Sequence, residues 1–165
     1  MNINHVEISK SNLSKNYTTH MGVLVKVLMA SKGDVIECGG GIFSTPMLHW
    51  ICKDMDRELT TYEHDPAYYN FERGFQSRQH RIRLVKNWDK IVIPKHVGMV
   101  FIDHHPPERR MIELLRFKDS ADYIVGYRIK RSDPFYRLIF AKIWAISVFC
   151  LFLIWVKDID CGFKM

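Results

Sequence analysis

At 165 residues, with 47% hydrophobic and 25% charged residues, the chain has the size and make-up of one globular domain, which excludes a disordered or fibrous protein. Its formal charge of +6 is uneven: residues 1–125 carry 17 Lys/Arg against 15 Asp/Glu, and residues 126–165 carry 7 against 3. Cys38, Cys52, Cys150 and Cys161 form no Cys-x-x-Cys pair and have no regular spacing, which indicates neither a zinc site nor a disulfide framework and fits a reducing compartment.

Residues 1–17 are polar and lack the apolar core of a secretory signal, so a cytoplasmic location is expected. Residues 21–30 (MGVLVKVLMA) have helical apolar spacing and end at the turn Ser31-Lys32-Gly33, which feeds a first strand at 34–37. Thr45 followed by Pro46 is an N-cap and N1 pair, predicting a helix from 46 to about 54 with Leu48, Ile51 and Met55 on one face. A second strand is expected at 59–63, a helix from Asp65-Pro66 to about 75, and a third strand at 80–85, where HRIRLV alternates. Residues 97–103 (VGMVFID) read as a fully buried strand, Pro106-Pro107 starts a helix to about 117, and 122–125 form a fifth strand. Strands and helices alternate throughout, so the expected fold class is α/β, a Rossmann-like, mostly parallel sheet with helices on both faces.

The strand ends carry the chemistry. In Glu37-Cys38-Gly39-Gly40-Gly41, glycines let the backbone turn tightly and approach a ligand where a Cβ would collide, although a bare tight turn uses them equally. Position 44 is Ser, so the G-x-G-x-x-G spacing of a pyrophosphate binder is missing and a cofactor without phosphates is favoured. Glu63, 22 residues past Gly41, sits where a strand-end carboxylate accepts hydrogen bonds from ribose hydroxyls. Asn87-Trp88 after strand three offers an amide and an indole to an adenine ring, or is a core Trp with a capping Asn. His49 and His96 read as structural or solvated, and Tyr17 and His20 stand just before the first helix.

The pattern Glu37-x-Gly39-x-Gly41, Glu63 and Phe101-Ile102-Asp103 resembles the class I S-adenosylmethionine-dependent methyltransferases over about residues 17–125. The resemblance implies that Glu37, Gly39 and Gly41 belong to the cofactor's amino-acid subsite, Glu63 to the ribose, and Asn87 and Trp88 to the adenine. It puts Asp103 at the edge of the reaction centre, with His104 or His105 taking a proton from a methyl acceptor of unidentified class. Asp103-His104-His105 also resembles the motif of the DHH phosphoesterases, which hold manganese. The Asp-x-Asp they need upstream is present only as Asp54-Met55-Asp56, at the end of a predicted helix, so no metal ligands are assigned.

From Gly126 the chain resembles an internal piece of the dolichyl- and polyprenyl-phosphate sugar transferases, through Gly126-Tyr127-Arg128, a basic loop, an apolar run and Asp158-Ile159-Asp160-Cys161-Gly162-Phe163-Lys164. That resemblance implies Arg128, Arg131 and Arg137 as contacts to a lipid phosphate, and a glycosyltransferase reading as the alternative. Residues 138–156 carry one charge, Lys142, and are expected to form a hydrophobic helix that associates with a membrane surface through Trp144 and Trp155. Aromatic and basic residues there follow a lipid-facing pattern rather than a base-stacking one, which disfavours nucleic acid as partner. The expected organisation is a cofactor-binding domain at 1–125 joined to a foreign segment at 126–165, a chimera whose methyltransferase fold lacks the strands that should follow its fifth, a truncation that leaves its activity open.

Overall fold

The computed structural model describes residues 20–127 and, beyond them, the backbone of one strand at Phe152–Val156. In chain order the elements are α1 (Met21–Ala30), β1 (Val35–Cys38), α2 (Ser44–Asp54), β2 (Leu59–Glu63), α3 (Pro66–Glu72), β3 (His80–Leu84), β4 (Val97–Ile102), α4 (Arg110–Phe117), β5 (Ala121–Tyr127) and β6 (Phe152–Val156). Single 3-10 turns follow α3 at Arg73–Phe75, follow β3 at Trp88–Lys90 and precede α4 at Pro107–Arg109. The sheet order among these strands is β3-β2-β1-β4-β5-β6, parallel from β3 to β5, with β6 antiparallel to β5.

The sequence explains this layering. β1 and β4 are apolar almost throughout and buried at every position, as central strands covered on both faces must be, whereas β3 alternates buried and exposed residues at the sheet edge. One face packs Ile36, Cys38, Val100 and Ile102 against Met111, Leu114 and Phe117 of α4. The other packs Val35, Met99 and Phe101 against Leu24 and Leu28 of α1 and Leu48 and Cys52 of α2. Each such fully buried Leu or Phe contributes roughly 1.5–3 kcal/mol over leaving it exposed.

Two expectations change. Helix α2 begins at Ser44, not at Pro46, and Thr45 does not cap it: the Thr45 hydroxyl donates to Glu37 Oε2 (2.9 Å) and accepts from the Gly41 amide (2.9 Å). The expected hydrophobic helix is a strand over its last five residues. Phe152–Val156 runs beside β5, with Tyr123 opposite Val156 and Tyr127 opposite Phe152. An apolar run alone does not distinguish strand from buried helix, and FLIWV, rich in β-branched and aromatic residues, pairs with the edge that β5 leaves open. A strand therefore does follow the fifth, and β5 itself runs through the proposed junction at 125/126 without a break. Arg128, Arg131, Arg137 and residues 138–151 lie outside the described residues. Among the described residues no helix is long and apolar enough to cross a membrane.

Candidate functional site

The chain leaves β1 toward β2 on one side and returns to β4 on the other, so a crevice opens between the loops at the carboxyl ends of these strands, the usual ligand position in an open α/β sheet. A cavity of about 440 Å³ lies there, walled by residues 39–44 after β1, Glu63, His64 and Asp65 after β2, and Asp103, His104 and His105 after β4. The loops are locked to the sheet by backbone bonds: Gly39 N–H donates to Tyr62 C=O (2.8 Å) and Asp103 N–H to Cys38 C=O (2.8 Å). Gly39 has φ +88°, and a Cβ on it would run into the backbone of His104.

Glu63 is 4% exposed and its carboxylate is held on three sides. Oε2 accepts from the Gly40 amide (2.9 Å), and Oε1 accepts from the amides of His64 and Asp65 (2.7 Å each). Glu63 and the glycine loop thus form one unit. Glu37 lies behind it, fully buried, its Oε2 accepting from the hydroxyls of Thr45 (2.9 Å) and Thr61 (2.8 Å).

Thr61 extends this unit into a buried polar chain. Because its hydroxyl donates to Glu37, it accepts from Nε2–H of His80 (2.9 Å), which leaves His80 Nδ1 as acceptor for Nδ1–H of His49 (3.1 Å). Every proton in the chain points toward Glu37. Both histidines are buried, His49 among His80, Trp50 and Phe75. The sequence marked none of Thr45, Thr61, His49 or His80 as partners of the site, because strand register and helix docking bring them together. Glu72 of α3 was also missed. It is fully buried, its carboxyl pressed against Gly40.

Burial pushes Glu37 up to about 7, opposed by the hydroxyls of Ser44, Thr61 and Thr45 and reinforced by Glu63. Burial and the neighbouring carboxyls of Glu37, Glu63 and Asp65 push Glu72 up to about 9. Burial holds His20 and His80 down at about 4, with His49 adding to the effect on His80. The raised carboxyls contribute stability that is complete below their ordinary value of 4.5 and is lost as pH rises through about 7 and about 9. The two histidines contribute stability that is present above 6.5 and lost as pH falls through about 4. The opposing pairs offset one another between these ranges. We therefore expect urea midpoints to be nearly level from about pH 4.5 to 6.5 and then to fall toward pH 9 by roughly 2–3 kcal/mol of stability, with Glu72→Gln flattening the upper part. A chain that gains stability between pH 6.5 and 9 contradicts this assignment.

The three residues proposed for the reaction centre part company. Asp103 reaches the cavity and pairs with Arg110 (2.9 Å), whose guanidinium also donates to the carbonyls of His104 and Asp103 (2.8 Å each). His105 is exposed at the rim. His104 is 1% exposed, its ring stacked on Trp88 at 4.2 Å and its Nε2 3.2 Å from Glu113 Oε2, off-line for a hydrogen bond. The His104 ring is thus enclosed, whereas that of His105 stands open to solvent beside the cavity. Trp88 is buried and Asn87 Oδ1 accepts from the Asp89 amide (2.9 Å), the arrangement of a core Trp with a capping Asn; neither lines the cavity. His20 does line it, stacked on Phe101 at 5.3 Å. His96 is exposed and pairs with Asp122 (3.0 Å).

The manganese reading fails on topology. Asp54 ends α2 and Asp56 follows it, bonded by Gln79 just before β3, at the amino ends of the strands, whereas Asp103 follows the carboxyl end of β4. Among the described residues no three His, Cys, Asp or Glu side chains converge on a metal-sized point.

No protein-family model matches the chain, and no curated protein matches it in sequence. Solved structures do match. An O-methyltransferase from Bacillus cereus, in complex with S-adenosylhomocysteine, is 18% identical over 79% of this chain and 74% of its own, with a TM-score of 0.52. A Thermoplasma acidophilum protein is 14% identical over 80% of this chain and 73% of its own, with a TM-score of 0.53. A Klebsiella pneumoniae structure, provisionally assigned as an O-methyltransferase, is 19% identical over 76% of this chain, with a TM-score of 0.52, and this chain spans only 63% of its length. The strand order, the glycine loop after β1 and the acid ending β2 together give this chain the fold of the class I methyltransferases.

Proposed function

We propose that the cavity binds S-adenosylmethionine and that the chain transfers a methyl group from it to an O–H or N–H acceptor. The observation that carries this reading is Glu63, a buried carboxylate on the cavity wall whose two oxygens are fixed by amides of the glycine loop and of its own strand end. A carboxylate held so firmly loses little freedom when it accepts two vicinal ribose hydroxyls. Gly39, Gly40 and Gly41 supply a wall without Cβ atoms, against which the amino-acid end of the cofactor fits. The bound cofactor supplies an electrophilic methyl group on a sulfonium.

This chain's residues do the rest. Asp103, neutralised in part by Arg110, borders the acceptor side of the cavity, and His105 at the rim accepts the acceptor's proton at an imidazole nitrogen. The acceptor itself approaches from the open side between the loops after β1 and β4.

Calorimetric titration of S-adenosylhomocysteine into the full chain tests the reading. We expect micromolar binding, weakened at least about tenfold by Glu63→Ala, the usual scale for hydrogen bonds to a charged group. A chain that is folded by circular dichroism and takes up none of the nucleoside rejects the proposal.

A further inference from the structure

The charge of the first 125 residues is gathered at one edge of the sheet. Residues 78–95, which hold β3 and most of the crossover to β4, carry six Lys/Arg against one acid, Asp89, whereas the rest of residues 1–125 carry eleven against fourteen. An acidic domain thus bears one basic edge. Strand β3 is the edge strand, and its side chains alternate: His80 and Ile82 are buried, while Arg81 and Arg83 emerge on the face that β2 shares through Thr60 and Tyr62.

Further along the sheet α4 covers this same face. The crossover beside β2 and β3, residues 85–96, holds a single 3-10 turn and no helix, and a recess of about 350 Å³ is left there, lined by Tyr62, Arg83, Leu84, Lys86, Lys90 and Val92 among others. Its frame is fixed. Val85 N–H donates to Glu63 C=O (2.7 Å), and the Arg116 guanidinium holds the carbonyls of Trp88 (2.7 Å) and Ile91 (2.8 Å). Among the described residues no acid lines the recess, and Arg83, Lys86 and Lys90 form no ion pair. The acids of the adjoining segments are engaged elsewhere, Glu58 by Arg81 (2.6 Å) and Asp89 by Arg109. Three cations around one concavity focus a positive potential, which a ligand with several linked negative charges neutralises while releasing counter-ions.

We infer that this recess binds single-stranded nucleic acid, its phosphates on Arg83, Lys86 and Lys90 and a base against Tyr62, Leu84 and Val92. Shape decides between polyanions. A lipid surface is met by apolar side chains that protrude, whereas Tyr62, the aromatic of this recess, is half-buried. An extended strand enters a recess, and its unstacked bases offer apolar faces that a duplex keeps inside. The pattern that speaks against nucleic acid lies in residues 126–165, apart from this edge. Binding here needs no methyl donor, so the inference stands independently of the cofactor reading.

The test is fluorescence anisotropy of a labelled, unstructured RNA of about twelve nucleotides, titrated with the full chain. Micromolar binding at about 50 mM salt should weaken about twentyfold by about 200 mM, the dependence expected for about three phosphates on a single strand. The triple variant Arg83→Gln, Lys86→Gln, Lys90→Gln changes only exposed side chains, and it should bind at least about twentyfold more weakly with little salt dependence left. The control Lys26→Gln, Lys32→Gln, Lys53→Gln removes the same charge from exposed positions outside the recess and should stay within about threefold of native. Because a duplex carries the denser charge, the matching duplex should bind at least about fivefold more weakly only if unstacked bases are contacted. No binding at low salt, equal weakening by the control, or duplex binding as tight as the single strand overturns the inference. So does a recess variant whose sedimentation with phosphatidylserine vesicles falls as much as its RNA binding, which would assign the edge to a lipid surface.

Discussion

Replacing Gly39 by Ala should unfold the carboxyl edge of the sheet, costing about 4 kcal/mol and abolishing nucleoside binding. Two effects add. The residue sits at φ +88°, in the left-handed region where an L side chain is strained, and its new Cβ would overlap the N and Cα of His104 and lie 2.8 Å from the carbonyl carbon of Asp103. Those neighbours are backbone and cannot swing aside. Asp103 N–H is bonded to Cys38 C=O, and the Arg110 guanidinium holds the carbonyls of Asp103 and His104. Relief requires β1 and β4 to part at the point where the cavity begins. Urea unfolding followed by tryptophan fluorescence measures the loss, and Gly74→Ala is the control, because nothing lies within 4 Å of the added methyl and its φ is ordinary. A Gly39→Ala chain within about 1 kcal/mol of native would show that the loop has another conformation open to it.

What could be read from the chain follows from which forces are local. Short apolar runs, continuous in the central strands and alternating at the β3 edge, place β1 through β5 to within a residue or two, because burial on a sheet leaves a direct trace in the chain. Gly39, Gly41 and Glu63, singled out from the sequence, all line the cavity, since each stands at a strand end where the chain turns into the crevice. Glu72 was not legible. Its meeting with Gly40 depends on how α3 docks across the loop after β1, and a glutamate on a short helix carries no mark of burial. The chain His49, His80, Thr61, Glu37 was hidden for a related reason: β1 and β2 pair Glu37 with Thr61 directly, whereas His80 reaches the Thr61 hydroxyl from the neighbouring β3. Thr45 illustrates competition within a single residue. Thr-Pro is a sound cap signal, but a buried carboxylate within reach is a stronger partner for the hydroxyl than a solvated helix end.

The same reasoning makes Glu113 the most consequential acid outside the cavity. This fully buried carboxylate of α4 joins three segments: Oε1 accepts from Arg109 Nη2 (3.1 Å) and Arg116 Nη1 (3.0 Å), while Oε2 faces His104 (3.2 Å). Burial pushes its carboxyl up, yet His104 and Arg109 outweigh that and hold it below the usual range. Arg116 in turn donates to the carbonyls of Trp88 (2.7 Å) and Ile91 (2.8 Å), so the loop after β3 and the loop after β4 are positioned by one side chain. Glu113→Ala removes the anion, leaving Arg116 and the enclosed His104 ring without their acid and Arg109 with Asp89 alone, which should cost about 3–5 kcal/mol. Glu113→Gln keeps the shape and one acceptor, so it should lose less. The two variants separate charge from packing: equal losses would mean that Glu113 acts through its charge alone, and a Glu113→Gln chain as stable as native would mean that it acts by filling space. The native pairing also predicts that His104 and Trp88 remain stacked only while Glu113 is in place. Loss of the indole's buried emission in Glu113→Ala, with far-ultraviolet dichroism unchanged, is the expected signature of a cavity whose floor has come loose from a sheet that still stands.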